Sequence, residues 1–198
     1  MAHYWANFER RGDALLRFDT RIYLDPRERP KRGDRPIGSI VGKNPGSAVP
    51  RILEPGLQAL QLQGDHFLPC VLSISRKAYA AAKIPVPANG YVQVLNLFYL
   101  CDRDLKRAKA SLRETNDNSI CHSERRRAPW TWFAWGGPDT QLDPLKTRFL
   151  RRRPQNPFFY DKESLSVMRR KPRKDELAKH TQGMPHPKVV SHIASLLT

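Results

Sequence analysis

Long apolar runs are missing from this chain of 198 residues. No stretch reaches the roughly 18 consecutive apolar residues that a membrane-crossing helix needs, so no transmembrane helix is expected. The first ten residues, Met1 to Arg10, lack a basic flank followed by an apolar stretch, so no secretory signal is expected. Cysteine is scarce. Cys70, Cys101 and Cys121 are odd in number and lack paired metal spacing. A disulfide framework is therefore not expected, a reducing cytoplasm is, and no metal site is called for. Internal repeats and low-complexity segments are absent. No basic helix with a bulky apolar face stands out, which sets a membrane surface well below other polyanions as a partner.

Acidic residues are also scarce. Asp and Glu number 19 against 35 Lys and Arg, a net charge of +16. A charge of that size favours polyanions, nucleic acid first. The segment from Lys146 to Lys179 holds twelve Lys or Arg against four Asp or Glu, and so carries half of the excess. Within it, Arg151, Arg152 and Arg153 stand in a row as candidate contacts to a nucleic-acid backbone.

Against this background the hydrophobic pattern is that of one α/β domain spanning 1–198. Residues 14–24 alternate as a half-wet edge strand, and the three prolines between Asp25 and Pro36 read as an exposed loop. Short runs rich in β-branched and aromatic residues predict buried strands at 37–41, 91–96, 130–135 and 157–160. Helices are expected over 68–83, 103–113, 138–150 and 188–197, with a short one possible over 56–63. Asn116 to Asn118 break the second of these, and 168–175 reads as a mobile loop. Strands alternating with helices imply a three-layer α/β/α fold around a central parallel sheet of about four strands.

Four short motifs follow these apolar runs. Gly42-Lys43-Asn44-Pro45-Gly46 ends the first buried strand, Asn96 ends the second, Trp135-Gly136 ends the third, and His186-Pro187 precedes the last helix. Ligands of open α/β sheets bind at the carboxyl ends of the strands, where three of these motifs fall. Gly42 and Gly46 allow close approach of the backbone to a ligand, and Pro45 stiffens the turn. Asn, Pro and Gly also dominate ordinary turns. Asn44 could hold a water or a base edge. Asn96, in an apolar run, must be satisfied, either by a neighbouring loop or by a nucleobase edge. His186, held between two prolines, suits a general acid or a hydrogen-bond donor. Trp135 reads as core, His192 as structural, and His66, His122, Ser47 and Ser191 carry no pattern.

The order of these motifs resembles the uracil-DNA glycosylase superfamily. Gly42 to Ala48 is similar to the first motif of its mismatch-specific branch, which implies that Asn44 positions the attacking water. Leu95-Asn96 is similar to the strand end that reads the base. Phe133 to Gly136 is similar to the Trp-Gly strand ending of the uracil-specific branch, and His186-Pro187 to the loop whose histidine stabilises the departing base. The same order resembles a bacterial and phage family carrying Asn-Pro, Asn-Leu-Phe, Trp-Gly and His-Pro. The resemblance implies Asn44 and His186 as catalytic, Asn96, Gly42, Pro45 and Gly46 as base-binding, and Lys188 as a phosphate contact. It calls for no cofactor. Asn44 stands where the uracil-specific branch has aspartate, Ser47-Ala48 where it has an aromatic, and Lys188 where it has a small serine. The expectation is a nucleic-acid-binding protein, DNA first, excising bases as an N-glycosyl hydrolase. The alternative is a catalytically silent member of the fold. Such a member would bind nucleic acid or a protein of DNA transfer or replication, as a plasmid or phage factor would.

Overall fold

The structure, a computed structural model, describes every residue except 103 and 116–118. The helix break expected at Asn116 to Asn118 lies outside the described residues. Among the described residues eight strands form one mixed sheet: β1 (Ala2–Arg11), β2 (Ala14–Arg27), β3 (Arg35–Gly42), β4 (Gln58–Ala59), β5 (Gly90–Asn96), β6 (Thr131–Phe133), β7 (Pro157–Asp161) and β8 (Ser166–Met168). Their spatial order is β4-β1-β2-β5-β3-β6-β7-β8. Four α-helices accompany them among the described residues: α1 (Phe67–Ala82), α2 (Leu105–Thr115), α3 (Asp143–Leu150) and α4 (His186–Leu197). No described helix is long and apolar enough to cross a membrane.

The fold is thus mixed α/β. In the middle of the sheet β5, β3, β6 and β7 pair in parallel, while β4, β1, β2 and β8 add antiparallel edges. The expected wholly parallel sheet of about four strands is therefore corrected to a mixed sheet of eight. Four local departures account for the difference. Residues 2–11 form β1, hairpinned to β2 through Gly12 at φ 57. Residues 14–24, expected at an edge, lie inside the sheet as part of β2 because β1 covers their free side, and Ile22, Tyr23 and Leu24 are fully buried. The stretch expected as a short helix over 56–63 contributes β4, which pairs with Trp5 and Ala6 of β1. Met168, expected to open a mobile loop, ends β8.

Alternation along the strands divides the core. Ile40, Val94, Trp132 and Phe158 face α1 and α4, whereas Val41, Leu95, Phe133 and Phe159 face α2 and α3. Period-2 strands put successive side chains on opposite faces, so both faces of the parallel region must be covered. Trp130 lies so close over Gly38 that a Cβ there would come within 1.9 Å of its ring. Trp132 stacks on Phe158 at 6.0 Å. α1 presents Leu68, Val71, Leu72, Ile74, Ala78 and Tyr79 on its buried face, a helical spacing. The Asp65 carboxylate accepts from the Phe67 and Leu68 amides at 2.8 and 3.1 Å and so starts the helix. Lys83, at φ 56, ends it.

Candidate functional site

The chain leaves β3 toward the α1 face and leaves β6 toward the α3 face, although β3 and β6 are neighbours. Connections diverging from adjacent parallel strands open a crevice at their carboxyl ends, where open α/β sheets hold ligands. A cavity of about 420 Å³ lies there. One wall is the turn Gly42 to Ser47, and the opposite wall is Trp135-Gly136. Gly64 to Phe67 and His180 to Gln182 complete it.

The backbone explains how these segments meet. Leu97 N–H donates to Gly42 O at 3.1 Å, so the chain beyond β5 runs beside the turn beyond β3. Asn44 Nδ2 donates to Asp102 O at 2.8 Å and ties the two segments together. Gly136 N–H donates to Ala178 O at 2.8 Å, and Lys179 N–H to Tyr160 O at 3.0 Å. The chain ahead of α4 is thereby drawn across the ends of β6 and β7, which delivers His180. Gly46 at φ 73, Gly64 at φ 81 and Gly136 at φ 90 all line the crevice, in a conformation that a side chain would strain.

The charge inside is mixed. Lys43 is half-buried, and its amine has no hydrogen bond or ion pair among the described residues. Burial lowers its pKa, with Lys109 and Lys146 adding to the effect and Asp139 opposing it. The His180 ring lies 4.8 Å from that of Phe67. Burial and the Lys43 charge hold His180 below the usual histidine value, against a smaller pull from Asp65. Asp65 Oδ2 lies 3.5 Å from the place a Cβ on Gly46 would occupy. The set therefore offers a flat aromatic wall, a free amine, a carboxylate oxygen and a largely neutral imidazole.

The sequence-predicted residues divide three ways. Gly42, Asn44, Pro45 and Gly46 line the crevice. Asn96 pairs with Gly42 in register and is buried against it, its Oδ1 being 3.0 Å from where a Cβ on Gly42 would be. Its Nδ2 is buried and donates no hydrogen bond among the described residues. His186 lies outside the lining. It opens α4, with Nε2 3.3 Å from Cys70 Sγ, and Cys70 in turn neighbours the Thr181 side chain that does line the crevice. His186 is thus one layer behind the wall. Arg152 and Arg153 line a different cavity, Arg151 is exposed, and Lys188 donates to Leu165 O near β8.

Sequence reasoning missed Phe67, Asp65 and His180. Asp65, two residues before an apolar helical run, carried a helix-start signal; His180 carried none. Phe67, supplied by α1, puts an aromatic ring in the crevice wall. Compared with known protein families, curated proteins and solved structures, the chain matches none.

Proposed function

We propose that this protein binds nucleic acid, DNA first, and receives a base in the crevice at the carboxyl ends of β3 and β6. The observation that carries the reading is the pairing, in one cavity, of the Phe67 ring with the unpartnered Lys43 amine. A ring stacks a base of any sequence, and a free amine meets a phosphate. The net charge of +16 supplies the long-range attraction. The motif order and the parallel run β5-β3-β6-β7 support a sheet like that of the uracil-DNA glycosylase superfamily.

Within that reading, base excision by N-glycosyl hydrolysis assigns the water to Asn44. Its Nδ2 is spent on Asp102 O, and its Oδ1 has no partner among the described residues. The departing base falls to His180 rather than His186, since His180 lines the crevice. One observation favours a silent binder instead: His186 is engaged with Cys70 outside the lining. A base receptor that lacks turnover then acts by occupying DNA, or a protein that handles it.

The test is fluorescence anisotropy on labelled single-stranded and duplex DNA across a salt series, followed by strand cleavage after alkali on uracil, mismatched and alkylated duplexes. Affinity should fall steeply with salt. Phe67→Ala should weaken single-strand binding at least about fivefold, the order expected for one lost base stack. Unchanged affinity in Phe67→Ala would remove the base from the crevice. Strand cleavage abolished by Asn44→Ala would select excision over silent binding.

A further inference from the structure

A second cavity, of about 400 Å³, lies over the sheet face that packs against α2 and α3, and it shares no residue with the crevice. Its floor is apolar: Val41 and Leu95 from adjacent strands, Phe133 beside them, and Phe149 from α3. The hydroxyls of Ser39 and Thr131 lie in the floor, 2.9 Å apart, in residues more than nine-tenths buried. The rim is arginine. Arg125, Arg126 and Arg127 come from the segment before β6, and Arg152 and Arg153 from the segment before β7.

These five arginines face a single lining carboxylate, Glu124. Two of them are already engaged. Arg126 Nη1 reaches Asp19 at 2.6 Å and the Tyr91 hydroxyl at 3.0 Å, and Arg152 donates to Glu124 O. Arg125, Arg127 and Arg153 have no hydrogen bond or ion pair among the described residues, and all three are exposed. Glu124 does not quench them. Its Oε1 accepts from the Tyr99 hydroxyl at 2.7 Å and from the Cys121 amide at 3.3 Å, with Arg148 at 3.4 Å. Its Oε2 is buried and accepts no hydrogen bond among the described residues, the Arg152 guanidinium being 3.6 Å away. The carboxylate is thus held by the protein itself, and the exposed guanidiniums of Arg125, Arg127 and Arg153 are left to a ligand.

We propose that this cavity binds a mononucleotide. The three free guanidiniums take its terminal phosphate, whose oxygens suit the planar arginine fork. The apolar floor covers the base. The volume falls in the range of small-molecule sites. A bare polynucleotide backbone fits less well, because it would leave the apolar floor uncovered and would need cations spread along a track.

The experiment is isothermal titration of the full chain with the four ribonucleoside monophosphates, the matching nucleosides and inorganic phosphate. Arg127→Ala/Arg153→Ala and Lys43→Ala are run in parallel. Both arginines are exposed, so the double variant should fold, and circular dichroism checks it. At least one monophosphate should saturate a single site, with its nucleoside and inorganic phosphate each roughly tenfold weaker or worse, as a charge-assisted phosphate contact demands. The double variant should lose roughly tenfold or more, and Lys43→Ala should stay within about twofold. The proposal is overturned if no monophosphate binds, if inorganic phosphate binds as well as the nucleotide, or if the double variant binds like the parent. Loss of binding in Lys43→Ala would also overturn it, by moving the ligand to the crevice.

Discussion

The crevice and the arginine cavity are nearly equal in size, about 420 and 400 Å³, yet they are built in opposite ways. Main chain shapes the crevice. Three positive-φ glycines line it, and its turn segments are short and contiguous in sequence. Side chains shape the cavity. Its floor takes alternate residues from three strands, and its rim is long arginines from two loops. Backbone at strand ends tolerates few residue types, because close approach and positive φ restrict the choice. A face of a sheet tolerates many, because any apolar residue of suitable volume fills it. One region should therefore be fragile to added Cβ atoms and the other to lost charge.

The largest expected effect falls on the cavity. Glu124 is buried and answers to Tyr99, Cys121, Arg148 and Arg152. Glu124→Ala leaves two arginines and a hydroxyl without their acceptor. Removing one partner of a buried ion pair costs about 3–5 kcal/mol. Urea unfolding should show that loss as a lower midpoint with an unchanged slope. A drop under about 1 kcal/mol would mean that Arg148 and Arg152 find other partners, and that the cavity does not depend on buried charge.

Next comes the crevice. At Gly136, φ is 90 and an added Cβ would lie 3.3 Å from Lys43 Nζ. Gly136→Val should cost about 1–3 kcal/mol in backbone strain. It should also displace the Lys43 amine and weaken DNA binding, while nucleotide binding at the arginine cavity stays as it was. Equal damage to both ligands would show that the two sites are one mechanical unit. Asn44→Ala is milder. It removes one hydrogen bond to Asp102 O and should cost about 1 kcal/mol, again read from the urea midpoint.

The same contrast explains what the sequence revealed. The four central strands were legible because each is a short apolar run with a Gly or Pro near one end, and they lie at Arg35–Gly42, Gly90–Asn96, Thr131–Phe133 and Pro157–Asp161. The first motif was legible as part of a cavity wall for the reason given above, since its turn needs those residues in a row. β1 was not legible. His3, Asn7, Glu9 and Arg10 interrupt its apolar residues, and it is held by pairing on both sides, to β2 and β4, a long-range fact. His180 was not legible because tertiary hydrogen bonds at Gly136 and Tyr160 put it in place. The arginine cavity was only half visible. Arg152 and Arg153 stood out by charge, but nothing local ties them to Arg125 and Arg127. His186 was placed by motif order, and in space the layer containing Cys70 intervenes.

The smallest expected effect is a pH dependence that separates the two regions through histidine. His66 and His180 line the crevice, and among the described residues no histidine lines the arginine cavity. Burial, with Lys43 and Lys179 adding to it, lowers the His180 pKa below 6.5; Asp65 opposes the shift. Burial and Arg169 likewise lower that of His192, which meets Phe158 edge-on at 4.7 Å. A folded pKa below the unfolded one means that, as pH falls from about 6.5, the unfolded chain takes up protons first. Stability should therefore be full above that value, decline as pH falls toward the folded pKa, and level off below it. His180→Gln should flatten part of the decline and His192→Gln the rest, in urea midpoints measured from pH 7.5 to 5. DNA affinity should move the other way over the same window. A protonated His180 places a second cation beside Lys43, so binding at fixed salt should tighten as the fold weakens. The His180→Gln variant should lose that tightening and the His192→Gln variant should keep it. If both variants keep it, the cation that DNA meets is not His180.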